Sequence, residues 1–72
     1  MTYLEKIDPA NNQARFYSLV IMPNLFGQWT LVREWGRIGQ RGQAELEWFE
    51  TAEAAEGAIA ALKSQKRRRG YS

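Results

Sequence analysis

The chain contains neither cysteine nor histidine. Without cysteine, no disulfide framework and no thiolate zinc site holds so short a sequence together, and its stability must come from packing. Without histidine, it lacks the side chain most used as a general base near neutral pH and the commonest imidazole metal ligand. No pair among its carboxylates, lysines, tyrosines and serines stands in a recognisable nucleophile or metal motif, and 72 residues leave little volume for a water-excluding pocket. The expectation is a domain that is not an enzyme, with no catalytic residue, metal, cofactor or small-molecule substrate. Also missing is any run of the roughly 20 apolar residues needed to span a bilayer. Between Met1 and Ala10, the charges of Glu5, Lys6 and Asp8 stand where a signal peptide would carry its apolar core. No membrane partner is expected, and the cysteine-free composition fits a reducing, cytoplasmic location.

What the chain does have is aromatic mass and segregated charge. Three Trp, three Tyr and three Phe can offset much of the ordering entropy, so the sequence reads as globular rather than disordered. At this length there is room for one core, and residues 1–72 are expected to form a single domain. The net charge is only +2, yet Glu45 to Glu56 holds five acids and no base, while Lys63 to Arg69 holds five bases and no acid. A basic end of this kind attracts phosphate backbones or acidic protein surfaces without distinguishing them. The plain alternative is a solvated helix end.

Along the chain, a short first strand is followed by Pro9-Ala10-Asn11-Asn12, whose proline and asparagines signal a turn. Arg15 to Met22 is rich in aromatic and β-branched residues and is stopped by Pro23 and Asn24, which makes it the central strand candidate. From Gln28 to Ile38, alternation puts Trp29, Leu31, Arg33, Trp35 and Arg37 on one face, and Thr30, Val32, Glu34 and Ile38 on the other. Gly39-Gln40-Arg41-Gly42 reads as a turn into a strand from Gln43 to Phe49, with Gly39 or Gly42 at a positive φ. Thr51 is a plausible N-cap, with Glu53 and Glu56 early in the helix it opens. Ala55, Ala58, Ile59 and Leu62 then recur at helical spacing, Lys63 to Arg69 occupies the end favourable for cations, and Gly70 terminates the helix.

Trp35-Gly36-Arg37, followed by Ile38-Gly39 and Gly42-Gln43 and closed by Lys66-Arg67-Arg68-Arg69-Gly70-Tyr71, resembles the signature of the WGR family over nearly the whole chain. The resemblance implies an α+β fold: a twisted antiparallel sheet of four or five strands with one C-terminal α-helix packed on it. Similar sequences occur as domains of the poly(ADP-ribose) polymerases and as short bacterial proteins, and this chain looks like the second kind. In the polymerases the domain grips DNA at a strand break and does no chemistry itself. By match, Trp35 would pack against a sugar near the break, Arg37 would lie beside the DNA, and Lys66 would touch phosphate.

The physical reading beside that resemblance is that Trp35 and Arg37, two apart on a strand, present an indole and a guanidinium together. Gly36 between them would leave the opposite face open for close packing of the helix. Trp29 and Trp48 are expected in the core or in sheet packing. The leading expectation is nucleic-acid binding through the DNA backbone, at ends or nicks, by Trp35, Arg37 and Lys66, with Arg33, Arg41, Arg67 and Arg68 as secondary electrostatic candidates. No helix carries the polar set that reads bases in a major groove. The rival is a protein-interaction or self-association module, a homodimer included, using the same Trp/Arg face. Where the acids of Glu45 to Glu56 sit relative to Trp35 and Lys66 discriminates the two.

Overall fold

Three chain reversals, each with its own local chemistry, build the sheet. Pro9 opens a short 3-10 turn, Pro9–Asn11, and Asn12 leaves it in the left-handed region at φ 53°, its N–H bonded to the Pro9 carbonyl at 3.2 Å. This reversal pairs β1 (Thr2–Asp8) antiparallel with β2 (Gln13–Pro23). Beyond Pro23, the Asn24 side chain accepts from the N–H groups of Phe26 and Gln28 at 2.9 and 3.0 Å, and Gly27 takes φ 75°, turning the chain into β3 (Trp29–Arg37). Gly39, at φ 86°, turns it again into β4 (Gln43–Phe49). The strand order is β1-β2-β3-β4, a four-stranded antiparallel meander. The structure, a computed structural model, describes residues 1–72.

Helix α1 (Ala52–Arg68) begins as expected: the Thr51 hydroxyl accepts from the Ala54 N–H at 3.1 Å, and Glu53 lies in the first turn. It ends in a Schellman motif. Gly70, at φ 97°, donates its N–H to Arg67 and Tyr71 donates to Lys66, both at 3.1 Å. Ser72 then exchanges two 2.9 Å backbone hydrogen bonds with Glu5, which ties this segment to β1.

The core lies on one side of the sheet only. Leu4, Tyr17, Leu19 and Leu31 point to the helix face and are buried there, Ala55 of α1 is fully buried, and Ala58, Ile59 and Leu62 pack on the same cluster. The apolar stripe read from the sequence therefore faces the sheet. With a single layer of strands under a single helix, only five of 72 residues are buried.

Two expectations are corrected. The helix covers the face of Trp35, not the opposite one, because Leu31 and Trp35 share their side of β3 and both pack with the core. Gly36 instead faces away from α1, where a Cβ would meet Gly42 Cα at 2.8 Å and the Phe16 ring at 3.4 Å. The expected positive φ at Gly39 or Gly42 is met by Gly39. At Gly42 a side chain would collide with the Trp35 carbonyl oxygen, so this glycine serves close approach. Lastly, Trp48 is 67% exposed on the open face, because its strand position alternates away from the helix, whereas Trp29 is half-buried.

Candidate nucleic-acid interface

Strand pairing sorts the helix face into transverse rows. Lys6 pairs with Arg15 and Arg15 with Arg37, so three cations cross β1, β2 and β3 side by side. The next row is Leu4, Tyr17, Trp35 and Gln43, and the one after it is Thr2, Leu19, Arg33 and Glu45. Like charges directly opposite one another weaken a sheet. None of the three first-row cations has a carboxylate within ion-pair distance, since the molecule's ion pairs are those of Arg33 with Glu45 at 2.7 Å and with Glu47 at 3.7 Å. The Arg37 guanidinium donates a long bond, 3.5 Å, to the Asn12 carbonyl and is otherwise exposed.

The helix end closes over these rows. Lys66 Nζ stands 4.5 Å from the centre of the Tyr17 ring and 5.7 Å from that of Tyr71, the ring delivered by the Schellman turn. Burial first, then the positive charges of Arg69 and Arg33, holds the Lys66 ammonium below its ordinary value of 10.5. Tyr17 in turn packs against Trp35, ring centres 6.2 Å apart at 34°, and against Tyr71 edge-on at 6.3 Å. Two adjoining hollows of about 330 and 260 Å³ share Gln13, Arg15, Trp35 and Tyr71 as walls. Arg37 lines the first, and Lys6, Lys66 and Arg69 line the second. The arrangement offers flat aromatic surface beside unneutralised cations, suited to sugars or rings linked by phosphates.

The residues singled out in the sequence are thus only partly brought together. Trp35, Arg37 and Lys66 converge on the groove. Arg33 lies one row away, engaged by Glu45 and Glu47, with its Nε buried and unpartnered. Arg41 is exposed in the β3–β4 turn outside the groove. Arg67 and Arg68 line the outer side of α1 with Lys63 and Ser64, and Arg68 donates to Ser64 at 3.4 Å. Sequence reasoning missed Lys6, Arg15 and Arg69. The signal for Arg69 was its three-residue step from Lys66, and for Lys6 and Arg15 it was the register set by the Asn12 turn.

The acids divide as well. Glu45 and Glu47 share the helix face but are taken up by Arg33, and Glu45 stands next to Trp35 in the rim of the groove. Glu50, Glu53 and Glu56 lie at or near the start of α1. Even Glu56 is ten residues from Lys66, about 15 Å along the helix, which exceeds a Debye length at physiological salt.

Comparison with known proteins agrees with this architecture. The family profile described as "WGR domain" matches residues 1–72. The chain is also 48% identical, over 69 residues, to the uncharacterized protein y4dW of Sinorhizobium fredii, covering 96% of this chain and 34% of that protein, so it spans about a third of its relative's length. No solved structure matches it. No helix is long and apolar enough to cross a membrane, and no catalytic family is indicated. With the Trp35-Gly36-Arg37 strand, the glycine turn and the Lys66 to Tyr71 closure all in place across a full-length match, the chain belongs to the WGR family.

Proposed function

We propose that this domain binds nucleic acid, chiefly the DNA backbone and with preference for ends or nicks, and that it does so without a chemical step. The observation that carries the reading is the unpaired row Lys6, Arg15 and Arg37 lying directly beside the aromatic row of Tyr17 and Trp35. Cations held opposite one another with no internal counter-ion cost stability in the free protein, and an incoming phosphodiester relieves that cost. Lys66 and Arg69 extend the same field from the helix end, while Trp35 offers its ring for a sugar or base. Arg41, Arg67 and Arg68, all exposed, add long-range attraction from outside the groove. Such a role belongs in the bacterial cytoplasm.

Half-burial of Trp35 makes Trp35→Ala a poor test, since it removes packing on Tyr17 together with any ligand contact. The cations of the unpaired row serve better, since none of them holds an internal ion pair. Titrating nicked, blunt and single-stranded oligonucleotides at two salt concentrations should show affinity falling steeply with salt, as counterions are released. The variant with Lys6, Arg15 and Arg37 all changed to Gln should lose roughly 2 to 3 units of that slope while keeping its melting temperature or gaining a little. Wild-type protein that binds no oligonucleotide at low salt, or a slope unchanged in the triple variant, would overturn the reading. Glu45 at the groove rim favours one other reading, an acidic protein partner docked on the same face, and failure of the oligonucleotide titration would favour it.

A further inference from the structure

The face of the sheet turned away from α1 has no covering layer, and one end of it is free of charge. Register places Val20, Val32 and Leu46 in one row across β2, β3 and β4, with Met22, Thr30 and Trp48 in the next. Phe26 stands beside Trp48 in the β2–β3 loop, so the apolar surface continues past the strand ends. That loop is held in shape by the two hydrogen bonds to the Asn24 side chain and by a backbone bond from the Asn24 N–H to the Gln28 carbonyl at 2.9 Å. Phe26 is therefore presented at 87% exposure by a fixed scaffold, with Trp48 at 67% and Leu46 at 61%.

We infer that this open face is a self-association surface, on which a second copy of the chain packs sheet against sheet around a two-fold axis near Thr30 and Trp48. Three observations select a second copy as the occupant. First, the two rows hold no charged side chain, so the patch complements itself and asks for no partner of opposite sign. Of the acids of this face, Glu34 stands with Ser18 and Ala44 in the row beyond Val32 and Glu5 one row further, two and three rows from Trp48. Second, every cation on the strands points to the helix face, so packing open face to open face sends the Lys6, Arg15 and Arg37 rows outward. Sheets stacked about 10 Å apart keep those like charges a Debye length or more from each other. Pairing through the Trp35 face would instead set cation against cation. Third, Trp48 and Phe26 alone expose on the order of 300 Å² at these fractions, judged from the usual area of aromatic side chains. With Leu46 and Met22, both also exposed, this reaches the size at which an apolar patch marks an interaction site. A domain with only five buried residues also gains the second core its length denies it.

The test is sedimentation velocity of the full chain across protein concentrations, with three variants. Wild type should pass from monomer to dimer as concentration rises. Leu46→Lys should raise the dissociation constant at least tenfold, and Trp48→Ser should do the same. Both positions are exposed in the monomer, so their circular dichroism spectra at low concentration should match wild type. Arg37→Gln, on the opposite face, should leave the dimer unchanged. Wild type that stays monomeric at the highest soluble concentration would overturn the proposal. A dimer that survives Leu46→Lys and Trp48→Ser, or one abolished by Arg37→Gln, would overturn it equally. A monomeric wild type, or a dimer that survives Leu46→Lys and Trp48→Ser, leaves oligonucleotide binding untouched, so the two readings fail separately.

Discussion

Along β3 the side chains of Leu31, Arg33, Trp35 and Arg37 go to one side, and those of Thr30, Val32 and Glu34 go to the other. The first side carries the helix, the core and all four strand cations, Lys6, Arg15, Arg33 and Arg37. The second carries exposed Leu46 and Trp48, two acids and no base. A net charge of +2 conceals this separation entirely. The two-residue period of a strand segregates chemistry at no cost in sequence length, since each face reads only every other residue. In so small a domain that gives two surfaces of unlike character, one suited to anions and one to apolar contact.

Truncating one leucine on each face should separate the two faces most widely. Leu19 is fully buried beneath α1, so Leu19→Ala should cost about 2–5 kcal/mol. A domain of this length commands only about 4–11 kcal/mol in all, at the usual stability per residue. Leu46→Ala, on the open face, should change stability by less than about 0.5 kcal/mol when measured at concentrations where the chain is monomeric. Urea denaturation of the two variants reads the difference directly. Equal losses would mean that the open face is already packed in the monomer.

A pair of glycines gives the next largest effect. At Gly42 a new Cβ would collide with the Trp35 carbonyl oxygen and lie 2.9 Å from the Phe16 ring, so Gly42→Ala should destabilise by about 1–3 kcal/mol. At Gly57, in the middle of α1, a Cβ meets nothing within 4 Å, and Gly57→Ala should stabilise by about 0.4–1 kcal/mol. Thermal melts should therefore move in opposite directions. Stabilisation by both would show that the strand pair relaxes away from Phe16 at no cost.

These contrasts also mark what the sequence could disclose. The Thr51 cap, the Gly39 and Gly70 conformations and the strand from Gln43 to Phe49 were legible because each rests on residues adjacent in the chain. Trp35, Arg37 and Lys66 were legible as candidates through the motif and its closing turn. The side of the sheet that α1 would choose was not legible, because the alternation along β3 gives two faces, each with apolar residues, and only their partners on β2 break the tie. Trp48 was misplaced for that reason. Lys6 and Arg15 escaped notice because their meeting with Arg37 depends on two registers at once, each fixed by a turn rather than by the strands themselves.

The smallest expected effect belongs to Lys66, which links the two halves of the helix face by lying over Tyr17 while belonging to the basic end. Its ammonium is held below 10.5, mainly by burial and then by the neighbouring Arg69 and Arg33. Between that lowered value and the unfolded one, the folded chain binds fewer protons than the unfolded chain. Stability attributable to this group should therefore rise with pH across the window, and its penalty is fully present below the folded value. Binding has the opposite sign. A phosphate beside Lys66 favours the charged form, so affinity for an oligonucleotide should fall as pH rises through the lowered value, before ordinary lysines titrate near 10.4. Lys66→Arg keeps its charge throughout. A severalfold loss of affinity on the alkaline side, present in wild type and absent in Lys66→Arg at equal ionic strength, would place Lys66 on the phosphate path. Superimposable pH profiles would remove it from that path and leave it a packing residue between Tyr17 and Tyr71.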